Sequence, residues 1–255
     1  MRALIFAAGR GERMRPLTDH LPKPLLAVGG KPLIVHHLEK LAAIGVREVV
    51  INTAHLAECF PAQLGDGGQW GLRLHYAHEG AQALETGGGM LNALRWLGDA
   101  PFIALNGDVW TDLDFARLAA EPAGLAHLVL VDNPAHNPAG DFVLRADGQV
   151  DEDSGARLTF AGLGSYRPQL LDDWQHILGD APGTADTPPR FKLVPLLRAA
   201  MRQGQVTGEH HPGTWADIGT PERLAEINAD PAARPRGRAS AGLSTDEIMK
   251  PTRGD

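Results

Sequence analysis

Glycines and basic residues that could bind phosphate are concentrated near the start of the chain. The run Gly9-Arg10-Gly11-Glu12-Arg13 follows a short apolar segment, and Lys23 stands between Pro22 and Pro24. Glycines let a backbone approach a ligand closely and expose its N–H donors, while guanidinium and ammonium groups add the charge that a triphosphate requires. The segment therefore predicts a triphosphate site, although the glycines taken alone are more typical of a tight turn.

This loop differs from the common glycine-rich and nucleophile motifs. No G-x-x-x-x-G-K-[ST] run occurs in the chain, and Met14 stands where a dinucleotide-binding G-x-G-x-x-G motif has its third glycine. A G-x-S-x-G elbow is also absent from the sequence. We therefore expect phosphate chemistry that uses neither a P-loop nor a serine nucleophile.

Two aspartates are candidates for a divalent-cation site. Asp108 follows an apolar, strand-like segment, and Asp217 lies in the run W-A-D-I-G-T. Mg²⁺ in phosphate chemistry takes one or two carboxylates and completes its octahedron with substrate phosphates and water. Each aspartate taken alone is more typical of a turn. The 11 histidines form no H-E-x-x-H pattern, so a zinc site has little support.

Strands and helices alternate through the first half of the chain, in an order that would bring these residues together. The predicted strands cover residues 3–7, 46–53, 72–78 and 101–105, and the predicted helices cover 32–44, about 54–64 and 87–97. This alternation predicts an α/β fold, a Rossmann-like and mainly parallel sheet with helices on both faces. Because such sheets bind ligands at the carboxyl ends of their strands, the Gly9 loop and Asp108 are predicted to face one crevice.

The second half of the chain is less regular and is predicted to form a smaller lobe. We expect strands at 127–132 and 157–166, a hairpin within 141–150, a loop at 179–190, a helix at 191–203 and a helix start at 220–222. One domain is predicted over residues 1–229, with a core over about 1–125 and the lobe over about 126–219. Residues 230–255 are rich in Pro, Arg, Ala, Gly and Ser and are predicted to be a disordered tail.

Composition and charge restrict the partners. The formal net charge of −7 argues against a broad nucleic-acid-binding face, so an anionic ligand would be held locally by the basic residues between positions 10 and 23. Cys59 is the only cysteine, which rules out an intramolecular disulfide. The first strand follows Met1 almost directly, and no apolar stretch approaches the ~20 residues of a membrane span. We expect a cytoplasmic protein without a membrane partner.

The motifs of residues 3–28 closely resemble the opening of the sugar-1-phosphate nucleotidylyltransferases. They occur in the order G-x-G-x-R, P-L-T, P-K-P and a strand-like L-L-A-V. Enzymes of this family join a nucleoside triphosphate to a sugar phosphate. The resemblance continues to about Asn228, and it implies the nucleotide-diphospho-sugar transferase fold, with a sugar-binding lobe on a nucleotide-binding core.

The resemblance also implies roles for individual residues. It makes Arg13, Lys23 and Asp108 catalytic, with Lys23 near the transferred phosphoryl group, and it makes Asp108 and Asp217 the ligands of a Mg²⁺ cofactor. The implied nucleotide-binding residues are Gly9, Gly11, Glu12, Arg13, Lys23, Glu79, Thr86 and Gly88. The implied sugar-binding residues are Asn106, Gly140, Asp141 and Gly162. From the residues alone, the glycines at 87–89 could equally form a tight entry to a helix. An aspartate that opens a hairpin strand, as Asp141 would, is also common without any ligand.

Further motifs narrow the resemblance. The runs E-T-G-G-G, N-G-D-V-W-T-D, F-K-L-x-P-L-L and G-T-W-A-D-I-G-T resemble the N-acetylmuramate α-1-phosphate uridylyltransferases, which make UDP-N-acetylmuramate when bacteria recycle cell-wall sugars. The implied partners are UTP and N-acetylmuramate 1-phosphate, with the protein a monomer or a small homo-oligomer. A mannose-1-phosphate guanylyltransferase is the alternative within the class, and a non-catalytic domain that senses nucleotide sugars is the alternative outside it. Retention of Arg13, Lys23, Asp108 and Asp217 together favours an enzyme.

Overall fold

A computed structural model describes residues 1–153 and 155–230 of the protein. The strands are β1 (Arg2–Phe6), β2 (Ala27–Val28), β3 (Lys31–Pro32), β4 (Glu48–Thr53), β5 (Arg73–His78), β6 (Phe102–Asn106), β7 (Val109–Thr111), β8 (Ala126–Val131), β9 (Phe142–Leu144), β10 (Val150–Asp151), β11 (Arg157–Tyr166), β12 (Val206–His210) and β13 (Trp215–Asp217). The helices are α1 (Leu33–Ala43), α2 (Cys59–Leu64), α3 (Glu85–Leu97), α4 (Trp174–Leu178), α5 (Val194–Met201) and α6 (Pro221–Ala229). Apart from Asp230, the predicted tail lies outside the described residues.

Four parallel strands form the part of the sheet that positions the site. β1 pairs with β4 on one side and with β6 on the other, which sets Phe6 opposite both Asn52 and Asn106, and β4 pairs in turn with β5. All four strands run in the same direction, so their carboxyl ends meet at one edge of the sheet. The predicted mainly parallel sheet is confirmed for this part of the chain.

The second half of the chain extends the same nine-stranded sheet with antiparallel pairs and with one parallel pair, that of β12 with β8. β11 runs antiparallel to β6, β8 and β9, and β12 joins the far side of β8. The register of β11 against β8 shifts between Phe160 and Gly164. Gly162, inside this irregularity, has a φ of +75°, a left-handed value that favours glycine. The lobe therefore shares one continuous sheet with the core, and the irregularity lies beside the end of β6.

Helices cover both faces of the sheet. Ala3 and Ile5 of β1 pack in one apolar cluster with residues of α1 and α2, whereas Leu4 packs in a second cluster with residues of α3 and α5. This split follows from the alternation of side chains along a strand. A third cluster joins Met14 of the glycine loop to Ile218 and to Ile227 of α6, so the end of the described chain packs against its beginning.

Several predicted elements are confirmed, with differences at their ends. The hairpin of β9 and β10 forms, and Thr220 caps α6 by accepting a hydrogen bond from the backbone N–H of Arg223. The predicted helix at 54–64 is reduced to α2, six residues long, in keeping with Pro61 in its sequence. The helix predicted at 191–203 begins only at Val194. No helix within the described ranges is long and apolar enough to cross a bilayer.

Candidate active site

A cavity of about 700 Å³ opens at the carboxyl ends of β1, β4 and β6. Most of the predicted site residues line it: Gly9, Gly11, Glu12, Arg13, Lys23, Glu79, Thr86, Asn106 and Asp108. A second hollow of about 750 Å³, beside β10 and α5, contains none of them. The parallel strands therefore bring the glycine loop and Asp108 to one crevice, as predicted, and Lys23 lines the same crevice.

Two carboxylates converge on the ammonium group of Lys23. Its Nζ lies 2.6 Å from Oδ2 of Asp108 and 3.8 Å from Oδ1 of Asp217. Lys23 lies between Pro22 and Pro24, begins the short 3₁₀ turn Lys23–Leu25, and is only 8% exposed. The antiparallel pairing of β7 with β13 sets Asp217 opposite Val109, the residue that follows Asp108. This pairing brings together two aspartates that are distant in sequence.

Asp217 has two further neighbours that the sequence did not predict. Nη1 of Arg223 lies 2.9 Å from Oδ2 of Asp217 and 3.3 Å from its carbonyl oxygen, and Nε2 of His136 lies 3.5 Å from Oδ2. Arg223 is in the first turn of α6, so the cap at Thr220 indirectly orients the aspartate. The carboxylate is thus held from three sides.

The donor set fits a hard divalent cation that keeps most of its positions for substrate and water. Oδ2 of Asp108 and Oδ1 of Asp217 both lie within 4 Å of Lys23 Nζ, so the two carboxylates converge on one positively charged group. Among residues 1–153 and 155–230, no group of three or more His, Cys, Asp or Glu side chains forms a complete metal cage. Mg²⁺ commonly binds through only one or two carboxylates plus phosphates, whereas structural zinc needs four protein ligands.

The glycine loop is built to present backbone donors. Gly11 has a φ of +65°, and a Cβ at this position would lie 3.0 Å from Cγ2 of Thr18. Thr18 is buried and donates its hydroxyl to the carbonyl oxygen of Gly11 at 2.8 Å. In the described part of the chain, the backbone N–H groups of Gly9, Arg10 and Gly11 have no hydrogen-bond partner. The loop can therefore offer these amides, together with the side chain of Arg13, to an anionic group.

On the opposite wall, Glu79 is a nearly buried carboxylate. It is 7% exposed and accepts hydrogen bonds from Nδ2 of Asn52 at 2.7 Å and from the backbone N–H of Leu84 at 2.8 Å. Burial raises the pKa of Glu79, and these two donors act against that increase. The carboxylate is thus fixed at two points while it lines the cavity.

Thr86 and Gly88, at the start of α3, have different surroundings. Thr86 lines the cavity, and its Oγ1 accepts a hydrogen bond from the backbone N–H of Leu193 at 3.0 Å. The N–H of Gly88 donates instead to the carbonyl of Phe191, and a Cβ at Gly88 would lie 2.4 Å from the carbonyl oxygen of Pro189. Gly88 therefore lets the segment before α5 pack against α3 and does not line the cavity.

The predicted sugar residues divide into two pairs. Asn106 lines the cavity, and Gly162 lies against it, because a Cβ at Gly162 would be 2.5 Å from Nδ2 of Asn106. Gly140 and Asp141 lie farther along the lobe, outside the cavity wall. Oδ2 of Asp141 accepts a hydrogen bond from the backbone N–H of Phe160 at 2.8 Å, which ties this aspartate to β11.

Comparison with known proteins gives a consistent family. The family model for nucleotidyl transferases matches residues 2–149. An N-acetylmuramate alpha-1-phosphate uridylyltransferase of Neisseria meningitidis serogroup B is 48% identical over 236 residues, covering 90% of this chain and 97% of the relative. A protein of the same name from Caulobacter vibrioides is 34% identical, covering 88% and 97%. A mannose-1-phosphate guanylyltransferase of Mycobacterium tuberculosis is 38% identical, but the match spans only 64% of that protein.

A solved structure supports the same fold. It is described as a putative glucose-1-phosphate thymidylyltransferase from Bacillus anthracis, and it matches with a TM-score of 0.79 over 94% of this chain and 98% of that chain, at 20% identity. The fold, the family model and the two relatives matched over nearly their whole length all agree with the motifs of residues 3–28. The chain belongs to the nucleotidyl transferase family.

Proposed function

We propose that the protein transfers the uridylyl group of UTP to N-acetylmuramate α-1-phosphate, releasing pyrophosphate and giving UDP-N-acetylmuramate for cell-wall sugar recycling in the cytoplasm. The observation that carries the proposal is the 48% identity to a uridylyltransferase of that name across nearly the full length of both chains. The convergence of Arg13, Lys23 and Asp108 on one cavity supports a catalytic protein over a domain that only senses nucleotide sugars.

The reaction needs placement and charge more than proton transfer. An oxygen of the sugar phosphate attacks the α-phosphorus of UTP, the bond from that phosphorus to the α–β bridging oxygen breaks, and pyrophosphate leaves with the electron pair. Because the nucleophile is already an anion, no side chain has to accept its proton. The protein contributes by holding the two phosphates in line and by neutralising the charge that builds up between them.

Each charged residue of the cavity has a place in this proposal. Lys23, nearly buried beside Asp108, donates to the α-phosphate, and Arg13 with the amides of Gly9 and Gly11 holds the β- and γ-phosphates. Glu12, exposed on the same loop, is assigned to orienting the nucleotide. Nucleotidyl transferases of this family generally use a divalent metal, and Mg²⁺ held by Asp108 and Asp217 would supply positive charge to the phosphate oxygens.

The base and the sugar are assigned to opposite walls of the cavity. Glu79 and Thr86 face the nucleobase side, with Gly88 supporting the backbone behind them. Asn106, backed by Gly162, is assigned to the sugar nearest the reacting phosphate. Gly140 and Asp141 are assigned to its outer part, toward the lobe. Asp141 can do this because only one of its carboxylate oxygens has a hydrogen bond to the described part of the protein.

A pyrophosphate-release assay tests the proposal. The purified chain is given Mg²⁺, each of the common nucleoside triphosphates and the 1-phosphates of N-acetylmuramate, N-acetylglucosamine, glucose and mannose. The expected result is the highest kcat/KM with UTP and N-acetylmuramate α-1-phosphate. N-Acetylglucosamine 1-phosphate is the matched control, because it lacks only the lactyl ether. Preference for GTP with mannose 1-phosphate would establish the alternative instead, and no release with any pair would leave a binding module.

A further inference from the structure

One chain of hydrogen bonds crosses the nucleobase wall of the cavity from strand to strand. The backbone N–H of Ala7 donates to Oδ1 of Asn52 at 2.6 Å, and Nδ2 of Asn52 donates to Oε1 of Glu79 at 2.7 Å. The backbone N–H of Leu84 completes the chain by donating to Oε2 of Glu79 at 2.8 Å. Asn52 is the middle member, at the carboxyl end of β4, between β1 and β5.

The partners of Asn52 allow its amide only one orientation. Its carbonyl oxygen must face the N–H of Ala7, because a flipped amide would set two donors together there. The same flip would turn the carbonyl oxygen toward the carboxylate of Glu79. Asn52 is 2% exposed, so water cannot replace either partner.

The wall around the pair leaves little room for movement. A Cβ at Gly89 would lie 2.7 Å from Oε1 of Glu79 and 2.8 Å from Nδ2 of Asn52, so both side chains pack directly against the backbone of α3. With both oxygens of Glu79 engaged from the protein side, each keeps a lone pair for another donor. Glu79 also lines the cavity, so a bound ligand can supply such a donor in place of solvent water.

We propose that Asn52 is a positioning residue, which holds the Glu79 carboxylate as a hydrogen-bond acceptor for an N–H group of the nucleobase. The proposal rests on the proposed function, and it names the chemistry that the wall recognises. Uracil carries an N3–H donor, whereas cytosine carries an unprotonated N3 at the same place. An acceptor fixed at Glu79 and facing N3 therefore favours UTP over CTP, whose base N–H donors are only on the exocyclic N4. Asn52 acts on the nucleobase through Glu79.

The alternative is that Asn52 only braces three strands. Both ideas predict that damage to the chain of hydrogen bonds lowers thermal stability. Only the positioning role predicts that the same damage changes which nucleotide is preferred. The UTP-to-CTP ratio of dissociation constants is therefore the measurement that separates them, and calorimetry obtains it without any sugar substrate.

Two single variants and their combination test the coupling. In Asn52→Asp a second carboxylate faces Oε1 of Glu79. In Glu79→Gln one end of the new side-chain amide is an NH₂ donor. In either orientation this NH₂ faces another donor, Nδ2 of Asn52 or the N–H of Leu84. The double variant Asn52→Asp/Glu79→Gln restores every bond with the roles exchanged. The new amide at position 79 donates to the new carboxylate at position 52, while its oxygen accepts from the N–H of Leu84. That oxygen remains as a fixed acceptor toward the ligand.

The expected result is strong non-additivity. Each single variant should weaken UTP binding by about 10- to 100-fold, the range for one buried polar group left unsatisfied, and should reduce the UTP-to-CTP ratio about tenfold or more. In turnover assays KM for UTP should rise while kcat at saturating UTP stays within about threefold, because the lost interaction is made equally in ground and transition states. The double variant should recover the ratio to within about fivefold of the wild type.

Asn228→Asp is the matched control. Oδ1 of Asn228 also accepts a backbone N–H, from Gly29 at 2.8 Å, but its Nδ2 donates to carbonyl groups at a distance from the cavity. This variant should keep the wild-type ratio. The proposal is overturned if both single variants keep the wild-type ratio, or if the double variant recovers melting temperature without recovering the ratio. A wild type that binds UTP but turns over a different sugar would defeat the proposed sugar only, and the nucleotide comparison would still decide the role of Asn52.

Discussion

His37→Leu should make the protein more resistant to acid unfolding. His37 lies on α1, is 1% exposed and stacks on Phe115 with ring centroids 6.0 Å apart. Within the described residues, neither of its ring nitrogens forms a well-aligned hydrogen bond. Burial lowers the pKa of His37 to about 3, the charges of Lys40 and His36 act in the same direction, and the backbone of Val109 opposes them. The folded protein therefore holds this histidine neutral.

The sign and size of the effect follow from the two states. An unfolded histidine binds its proton near pH 6.5, so between that value and about 3 the unfolded chain binds more protons than the folded one. The contribution of neutral His37 to the unfolding free energy is complete above pH 6.5 and is lost as the pH falls. At pH 5, about 1.5 pH units below the unfolded pKa, the loss is about 2 kcal/mol. This figure does not depend on the folded pKa while that value stays well below 5.

Urea unfolding of the wild type and His37→Leu at pH 8 and pH 5 measures the effect. The wild type should lose about 2 kcal/mol more unfolding free energy than the variant between the two conditions. His36 and His127, whose pKa values burial also lowers, titrate in both proteins and cancel in the difference. At pH 8 the variant should be at least as stable, because leucine fills a similar volume without an unpaired polar atom. Equal acid losses in the two proteins would refute the assigned protonation state.

Three further predictions concern the cavity. Lys23→Ala should lower kcat by about 100-fold or more, the scale of one pre-placed electrostatic group, in a pyrophosphate-release assay. Glu85 lines the cavity and has a φ of +62°, a conformation that only glycine adopts without strain. Glu85→Gly should therefore be about 1 kcal/mol more stable than Glu85→Ala in urea unfolding. For Asp108→Asn and Asp217→Asn, turnover is measured against Mg²⁺ concentration, and both variants should need more Mg²⁺ than the wild type. The double variant should lose far less activity than the sum of the two single losses, because one ion is lost only once. Additive losses with an unshifted Mg²⁺ dependence would contradict a shared ion.

The sequence predicts site residues wherever a glycine-rich loop or a polar side chain directly follows an apolar strand. The glycine loop after β1 and Asp108 after β6 could be assigned to one crevice because parallel strands end at one edge of the sheet. The same reasoning applies to Asn52, which lies one residue before the end of β4, an apolar strand beside β1. It would have identified this residue had it been extended from aspartates to amides.

Contacts that depend on distant pairing could not be predicted in this way. The meeting of Asp217 with Asp108 follows from the pairing of β13 with β7, which the short apolar pattern of neither strand indicates. The hydrogen bond from the Gly88 N–H to the Phe191 carbonyl also depends on distant pairing. A glycine-rich helix start is compatible with binding either a ligand or a crossing segment of the chain. Local sequence patterns describe each element separately, whereas these contacts are fixed by which elements pack together.

The place of Lys23 between the two carboxylates bears on how its substitution should be interpreted. Carboxylates that share one site repel each other unless a positive charge lies between them, and here the ammonium at 2.6 Å and 3.8 Å provides that charge. Lys23 therefore has a structural effect on Asp108 and Asp217 as well as its proposed contact with the α-phosphate. These effects separate when Lys23→Ala is combined with Asp108→Asn, which removes one of the repelling charges. The combination should recover the melting temperature lost by Lys23→Ala but not its turnover, because no neutral side chain replaces the cation that the reacting phosphate needs.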